Sequence, residues 1–133
     1  RLHAALRRDG VTLIGPNCPG VLSPGKANAG IIPAQVFRAG PVGLVSRSGT
    51  LTYQIGYELA VLGLGNSTIV GIGGDPIVGT SFIDVLALFE ADPETEQVVL
   101  ADQAGRGETA QGEDELDVVG LAPGDGGGTG NSP

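Results

Sequence analysis

The chain has 133 residues, among them 24 glycines and 9 prolines, with 41% hydrophobic residues and a net charge of −8 at pH 7, which bounds it to one loop-rich globular domain. The acidity sits mainly at one end: residues 1–100 carry six basic and eight acidic side chains, residues 101–133 one and seven. With no Lys/Arg stripe to neutralise phosphates, a nucleic-acid surface is excluded, and the one cysteine, Cys18, forbids an internal disulfide and fits a reducing compartment.

No apolar run approaches the roughly 18 residues needed to span a bilayer, and no signal peptide opens the chain. The first residue is Arg rather than Met, so we expect a fragment of a bacterial cytoplasmic protein.

In chain order, Leu2, Ala5 and Leu6 share one face of a short helix over residues 2–8, which Asp9-Gly10 stops. Val11-Thr12-Leu13-Ile14 is strand-like and ends at Gly15-Pro16. Residues 16–41 hold five prolines and four glycines and are expected to carry little regular structure. Val42-Gly43-Leu44-Val45 is a second strand. Leu51, Ile55, Leu59 and Leu62 then line one face of a helix over 51–62, with Gly63 and Gly65 as its stop.

Residues 67–72 form a third buried strand, followed by the loop Gly73-Gly74-Asp75-Pro76. Phe82, Val85, Leu86 and Phe89 define a helix over about 81–91, with Ser81 and Asp84 spaced as a capping box. After Asp92-Pro93, Gln97–Leu100 is a fourth strand. Apolar strands alternating with amphipathic helices predict three or four parallel strands with helices on both faces. Beyond Leu100 come nine glycines, seven acids and no aromatic residue. That is too little apolar surface to offset an ordering entropy of roughly 1–2 kcal/mol per residue, and disorder is expected over 101–133.

The junction Ser46-Arg47-Ser48-Gly49-Thr50 places a hydroxyl-rich turn where a strand hands over to a helix. The first N–H groups of a helix lack intrahelical partners, and the macrodipole adds about half a positive charge there. Ser48 or Thr50 can cap that helix, and Gly49 lets an anion approach without a Cβ in its way. Capping alone, worth roughly 1 kcal/mol, is the plainer role for Ser48. There is no GxxxxGK, so this is not a Walker loop.

Two further loops belong to the same edge. Gly15-Pro16-Asn17-Cys18-Pro19-Gly20 is a rigid turn with Asn17 and Cys18 at its tip; with no local base or cation, Cys18 is better suited to packing or to a pocket wall than to nucleophilic attack. Residues 71–76 fail GxGxxG because Pro76 takes the sixth position. Loops that follow parallel strands gather at one edge of the sheet, where open α/β sheets bind ligands. His3, the one histidine, lies on the short first helix, and no metal-ligand cluster is present.

Taken together, "GPNCPGVLSPGK", "VGLVSRSGTLTY" and "VGIGGDPIVGTSFIDVLALFEADPET" resemble, in order and spacing, the alpha subunit of succinate–CoA ligase (succinyl-CoA synthetase). The resemblance covers about residues 1–100. It implies a flavodoxin-like ligase domain, here truncated, that follows a CoA-binding Rossmann domain in the full subunit; the acidic, Gly-rich tail over 101–133 matches nothing in the family and looks like a frameshifted or truncated reading frame. It implies the interconversion of succinyl-CoA and succinate, a reaction of the tricarboxylic acid cycle, with formation of ATP or GTP through a phosphohistidine. Coenzyme A, a nucleotide and Mg would serve the full enzyme, and a beta subunit would be the partner.

In that family the phosphohistidine lies between two helix N-termini, one from each subunit, and the alpha-subunit one matches Ser48, Gly49 and Thr50. Asn17, Cys18, Pro19 and Gly20, with Gly73, Gly74, Asp75 and Pro76, match active-site loops. The family's GHAG-type histidine is absent from this chain. Its glutamate after the fourth strand is also absent, because the strand here runs into "LADQAGRG". The resemblance thus implies a cradle without the residue it cradles, inactive alone and binding no cofactor strongly. The alternative is a non-catalytic phosphate-binding or subunit-interaction module.

Overall fold

The computed structural model describes residues 2–103 and 114–120. Its elements are α1 (Leu2–Arg8), β1 (Gly20–Ser23), β2 (Ala27–Gly30), β3 (Ala39–Ser46), α2 (Gly49–Val61), β4 (Asn66–Gly71), α3 (Phe82–Ala91), β5 (Gln97–Gln103) and β6 (Asp114–Gly120). The six strands form one sheet in the order β2-β1-β4-β3-β5-β6. β3 runs parallel to both β4 and β5, which gives the expected parallel core. β1 is antiparallel to β2 and to β4, and β6 is antiparallel to β5.

The strand order explains the two layers of helices. β4 and β5 lie on opposite sides of β3, so the chain winds outward once in each direction. Crossovers of one hand then place α2 and α3 on opposite faces. Alternate residues of each strand serve each face. Leu44, Ile69, Val99 and Ala101 pack beneath α2 with Ile55 and the partly buried Leu51 and Leu59. Val45, Val70 and Val98 pack beneath α3 with Val85, Phe89 and the partly buried Phe82 and Leu86. Gly43 in β3 also faces α3, and a Cβ there would sit 2.8 Å from the Phe89 ring.

Both long helices are capped by the residues their sequences offer. Ser48 caps α2, its side chain accepting from the Leu51 N–H at 3.2 Å. Ser81 and Asp84 form the full capping box of α3. Leu62, expected on the buried face of α2, lies at its C-cap and is exposed. Its spacing continues a helix that has already ended.

Two expectations fail in the first 30 residues. Val11–Ile14 is extended but joins no strand among the described residues; Leu13 anchors it, packing against Gly79 and accepting at its carbonyl from the Thr80 hydroxyl at 2.7 Å. A short apolar run becomes a strand only when a neighbour supplies the ladder. Residues 16–41, expected to be irregular, instead contain the β1–β2 hairpin. Its turn is Ser23-Pro24-Gly25-Lys26, closed by Lys26 N–H to Ser23 C=O at 2.9 Å with Gly25 at φ +78°. Proline followed by a left-handed glycine is the chemistry of a type II turn.

The C-terminal region differs as well. β5 continues to Gln103, and residues 114–120 pair with it over its whole length, although composition predicts no order there. The average over 33 residues hides a local cluster of three apolar residues, Leu116, Val118 and Val119, the last two β-branched. The disorder expected for 104–113 and 121–133 falls outside the described residues.

Candidate functional site

The three loops do meet, though one arrives by an unexpected route. Gly15–Pro19 does not leave a strand; it leads into β1. Because β1 is antiparallel to β4, with Val21 opposite Val70, the start of β1 lies beside the end of β4. The loop therefore reaches the C-terminal edge of the parallel strands from the other direction.

At that edge is a cavity of about 660 Å³ lined by Asn17, Cys18, Pro19, Arg47, Gly49, Gly74, Asp75 and Pro76, with Ile31 and Tyr53 completing its wall. Cys18 is a half-buried free thiol in that wall. Four of the expected residues are not among those lining the cavity. Gly20 is a strand residue paired with Gly30. Gly73, at φ +95°, is packed against the Pro16 carbonyl and supports the loop from below. Thr50 is exposed beside the cavity, and Ser48 is buried beneath it.

The burial of Ser48 decides which amides remain open. Its N–H donates to Ser46 Oγ at 3.0 Å, and Ser46 Oγ–H donates to its carbonyl at 2.8 Å. That carbonyl also accepts from the Thr52 hydroxyl and N–H. The Arg47 N–H is taken by the Ala101 carbonyl at 3.0 Å. The N–H groups of Gly49 and Thr50 make no hydrogen bond among the described residues. They sit at the N-terminus of a 13-residue helix, where unpaired amides and the macrodipole favour negative charge. Of the three amides expected to form a cradle, that of Ser48 is taken and its side chain serves as the cap, while those of Gly49 and Thr50 have no partner among the described residues.

Side chains link the loops around this point. Arg47 Nη2 donates to the Asp75 carbonyl at 3.3 Å, and its Nε lies 3.8 Å from Asp102 Oδ1. Asn17 Nδ2 donates to Asp75 Oδ1 at 3.3 Å. Asp102, near the end of β5, holds a buried carboxylate oxygen with no hydrogen-bond partner among the described residues. No cluster of three or more His, Cys, Asp or Glu that could hold a metal occurs among the described residues. His3 lies in α1.

Sequence reasoning missed two wall residues. Tyr53 follows Gly49 by one helical turn, so its spacing would have placed it on the same face; it also stacks on Phe37 with ring centroids 6.4 Å apart. Ile31 follows β2, and nothing local signals its place. It depends on the hairpin folding back along β4.

Fold and loops of this kind define a class. Residues 45–116 match the CoA-ligase family model, which is more than half of the chain, and the chain belongs to that family. Among its curated relatives are alpha subunits of succinate–CoA ligase. That of Archaeoglobus fulgidus named ADP-forming subunit alpha 2 is 60% identical over 105 residues, covering 79% of this chain and 37% of the relative. The malate–CoA ligase alpha subunit of Methylorubrum extorquens is 52% identical over 99 residues, covering 74% and 33%. The chain spans about a third of the length of the curated relatives it matches.

Solved structures agree. A crystal structure from Pyrococcus horikoshii OT3 superposes with a TM-score of 0.65 at 26% identity, covering 79% of this chain and 24% of that one. The dinucleotide-forming acetyl-coenzyme A synthetase 1 of Candidatus Korarchaeum cryptofilum, in complex with phosphate and ADP, gives 0.59 at 32% identity over 71% and 20%. No helix among the described residues is long and apolar enough to cross a membrane.

Proposed function

We propose that this chain is a portion of a succinate–CoA ligase alpha subunit, acting in the interconversion of succinyl-CoA and succinate coupled to nucleoside triphosphate formation. Residues 1–103, with β6 at the edge of the sheet, supply part of the ligase domain. The observation that carries the reading is the Gly49 amide, without a hydrogen-bond partner among the described residues, at a cavity walled by all three loops, with the Thr50 amide next to it in the first turn of α2. Such amides stabilise a phosphorylated group electrostatically and are already oriented when it arrives. In the full enzyme that group is a phosphohistidine, and the opposing helix comes from the beta subunit. Coenzyme A, ATP or GTP, and Mg belong to the assembled enzyme, which we place in the cytoplasm.

The chain has one histidine, His3, on α1 and well upstream of the cradle. We therefore assign it no catalysis alone. Relatives named for succinate and for malate match 79% and 74% of this chain, so either dicarboxylate suits the reading.

A chimera tests the proposal. Residues 1–100 replace the matching segment of the Archaeoglobus fulgidus alpha subunit, which is assembled with its beta subunit and assayed for succinyl-CoA formation. Retained activity is expected. An assembled, folded chimera without activity overturns the reading and favours a non-catalytic module.

A further inference from the structure

We propose that Asp75 is a positioning residue, a point at which the three loops of the cavity are latched together. It sits in the loop after β4. Its carboxylate oxygen Oδ1 accepts from Asn17 Nδ2 at 3.3 Å, across 58 positions of sequence. Its carbonyl accepts from Arg47 Nη2 at 3.3 Å, across 28. Arg47 in turn immediately precedes the cap of α2 and approaches Asp102 at the end of β5. One residue thus joins the turn before β1, the junction before α2 and its own loop.

The charge of Asp75 supports a positioning role over an anion contact. A carboxylate lining a cavity with open amides repels an anion, so the charge itself opposes binding. What the side chain offers is an acceptor, already engaged by Asn17. Gly73 and Gly74 give the loop no side chains with which to hold itself; it also meets the first turn where Gly73 approaches the Pro16 carbonyl and, farther along, where the Gly79 N–H donates to the Gly15 carbonyl at 2.8 Å. Holding several loops at fixed separation is how a site of weak individual contacts keeps its geometry.

The phosphate arm of the test rests on the reading of the cavity given above; the exchange arm does not. Asp75→Asn keeps an oxygen that accepts from Asn17 and removes the charge. Asp75→Ala removes both. Asn17→Gly removes the donor from the other side and suits the left-handed φ of +54° at Asn17. The chain is titrated with inorganic phosphate while the backbone amide resonance of Gly49 is followed, and hydrogen exchange is measured at Asn17, Cys18, Gly74 and Asp75.

In the alanine and glycine variants, phosphate binding is expected to weaken about tenfold, as loss of a charge-assisted hydrogen bond allows, and exchange in both loops to rise. Asp75→Asn should keep both within about twofold of the parent. If Asp75→Asn is as damaging as Asp75→Ala, the charge is used directly and the latch is overturned. Parent-like behaviour of both Asp75→Ala and Asn17→Gly overturns it too. Should Asp75→Ala not fold, Asn17→Gly decides. If the parent binds no phosphate, the functional reading fails, and the exchange data alone settle the latch.

Discussion

Gly49 shows how a single position separates fold from function. A Cβ built there meets nothing within 4 Å, so the protein itself does not require glycine. The cavity is what the missing side chain leaves open. Gly49→Val should leave the thermal midpoint within a few degrees, because a side chain there meets no clash and the difference in helix propensity between the two residues is under about 1 kcal/mol. Phosphate titration of the same variant should show clearly weaker binding, since the branched Cβ occupies the anion's approach. Equal affinity in parent and variant would remove Gly49 from the site.

Asp84 carries a pH dependence that belongs to α3. The N–H and then the hydroxyl of Ser81 donate to its carboxylate, at 2.9 and 2.8 Å, and hold its pKa below the ordinary value of 3.8. A depressed carboxyl contributes stability that is present above the ordinary value and is lost as pH falls through the folded one. Acid titration of helix content should therefore show α3 weakening below pH 3.8. Asp84→Asn should flatten that part of the profile without changing it at neutral pH by more than a small amount, because the group is fully exposed. An unchanged acid limb would separate the capping box from acid sensitivity.

At the scale of elements, Gly43 of β3 lies close against Phe89 of α3. A Cβ at Gly43 would lie 2.8–3.0 Å from three ring atoms of a residue only 4% exposed. Gly43→Ala should cost about 1–3 kcal/mol as overpacking, read as a lower urea midpoint with unchanged slope. A parent-like midpoint would mean that the ring shifts freely, which the packing of Val85, Val98 and Leu86 around it opposes.

β3, β4, β5, α2 and α3 were legible from their residues because each repeats apolar side chains at the period of its own backbone. The capping box at Ser81 was legible for the same local reason. The β1–β2 hairpin was overlooked although Pro24-Gly25 marked its turn, because β2 is Ala-Asn-Ala-Gly and fully exposed. A strand with no buried face leaves no periodicity to detect. Val11–Ile14 had the opposite character: good strand residues, with no neighbour to pair with.

For the molecule as a whole, the sheet ends in β2 on one side and β6 on the other. Ile31 and Ile77 near the cavity, Val61 and Leu62 at the end of α2, and Ile83 and Leu88 on α3 are all exposed. Exposed edges and apolar groups of this kind promote association. Light scattering of the isolated chain should show mass rising with concentration, and a monodisperse monomer across the range would contradict this. With a beta subunit and labelled ATP or GTP, no acid-labile phosphate should appear on the chain; label mapped to His3 would contradict the proposed function.

The sequence by itself determined the parallel core, the two capped helices and the identity of the three loops. Those features follow from local periodicity, turn chemistry and capping, all of which act over a few residues. Tertiary structure decided how the loops came together. The turn at Gly15–Pro19 reached the edge because β1 pairs antiparallel with β4, a matter of register between segments some fifty residues apart. It also decided which amides stayed open. Ser46 Oγ occupies the Ser48 N–H, while those of Gly49 and Thr50 have no partner among the described residues, because the buried hydroxyl at the end of β3 reaches the Ser48 N–H two residues on. Sequence names the donors of a cradle, but the hydrogen bonds that compete for them exist only once the chain has folded.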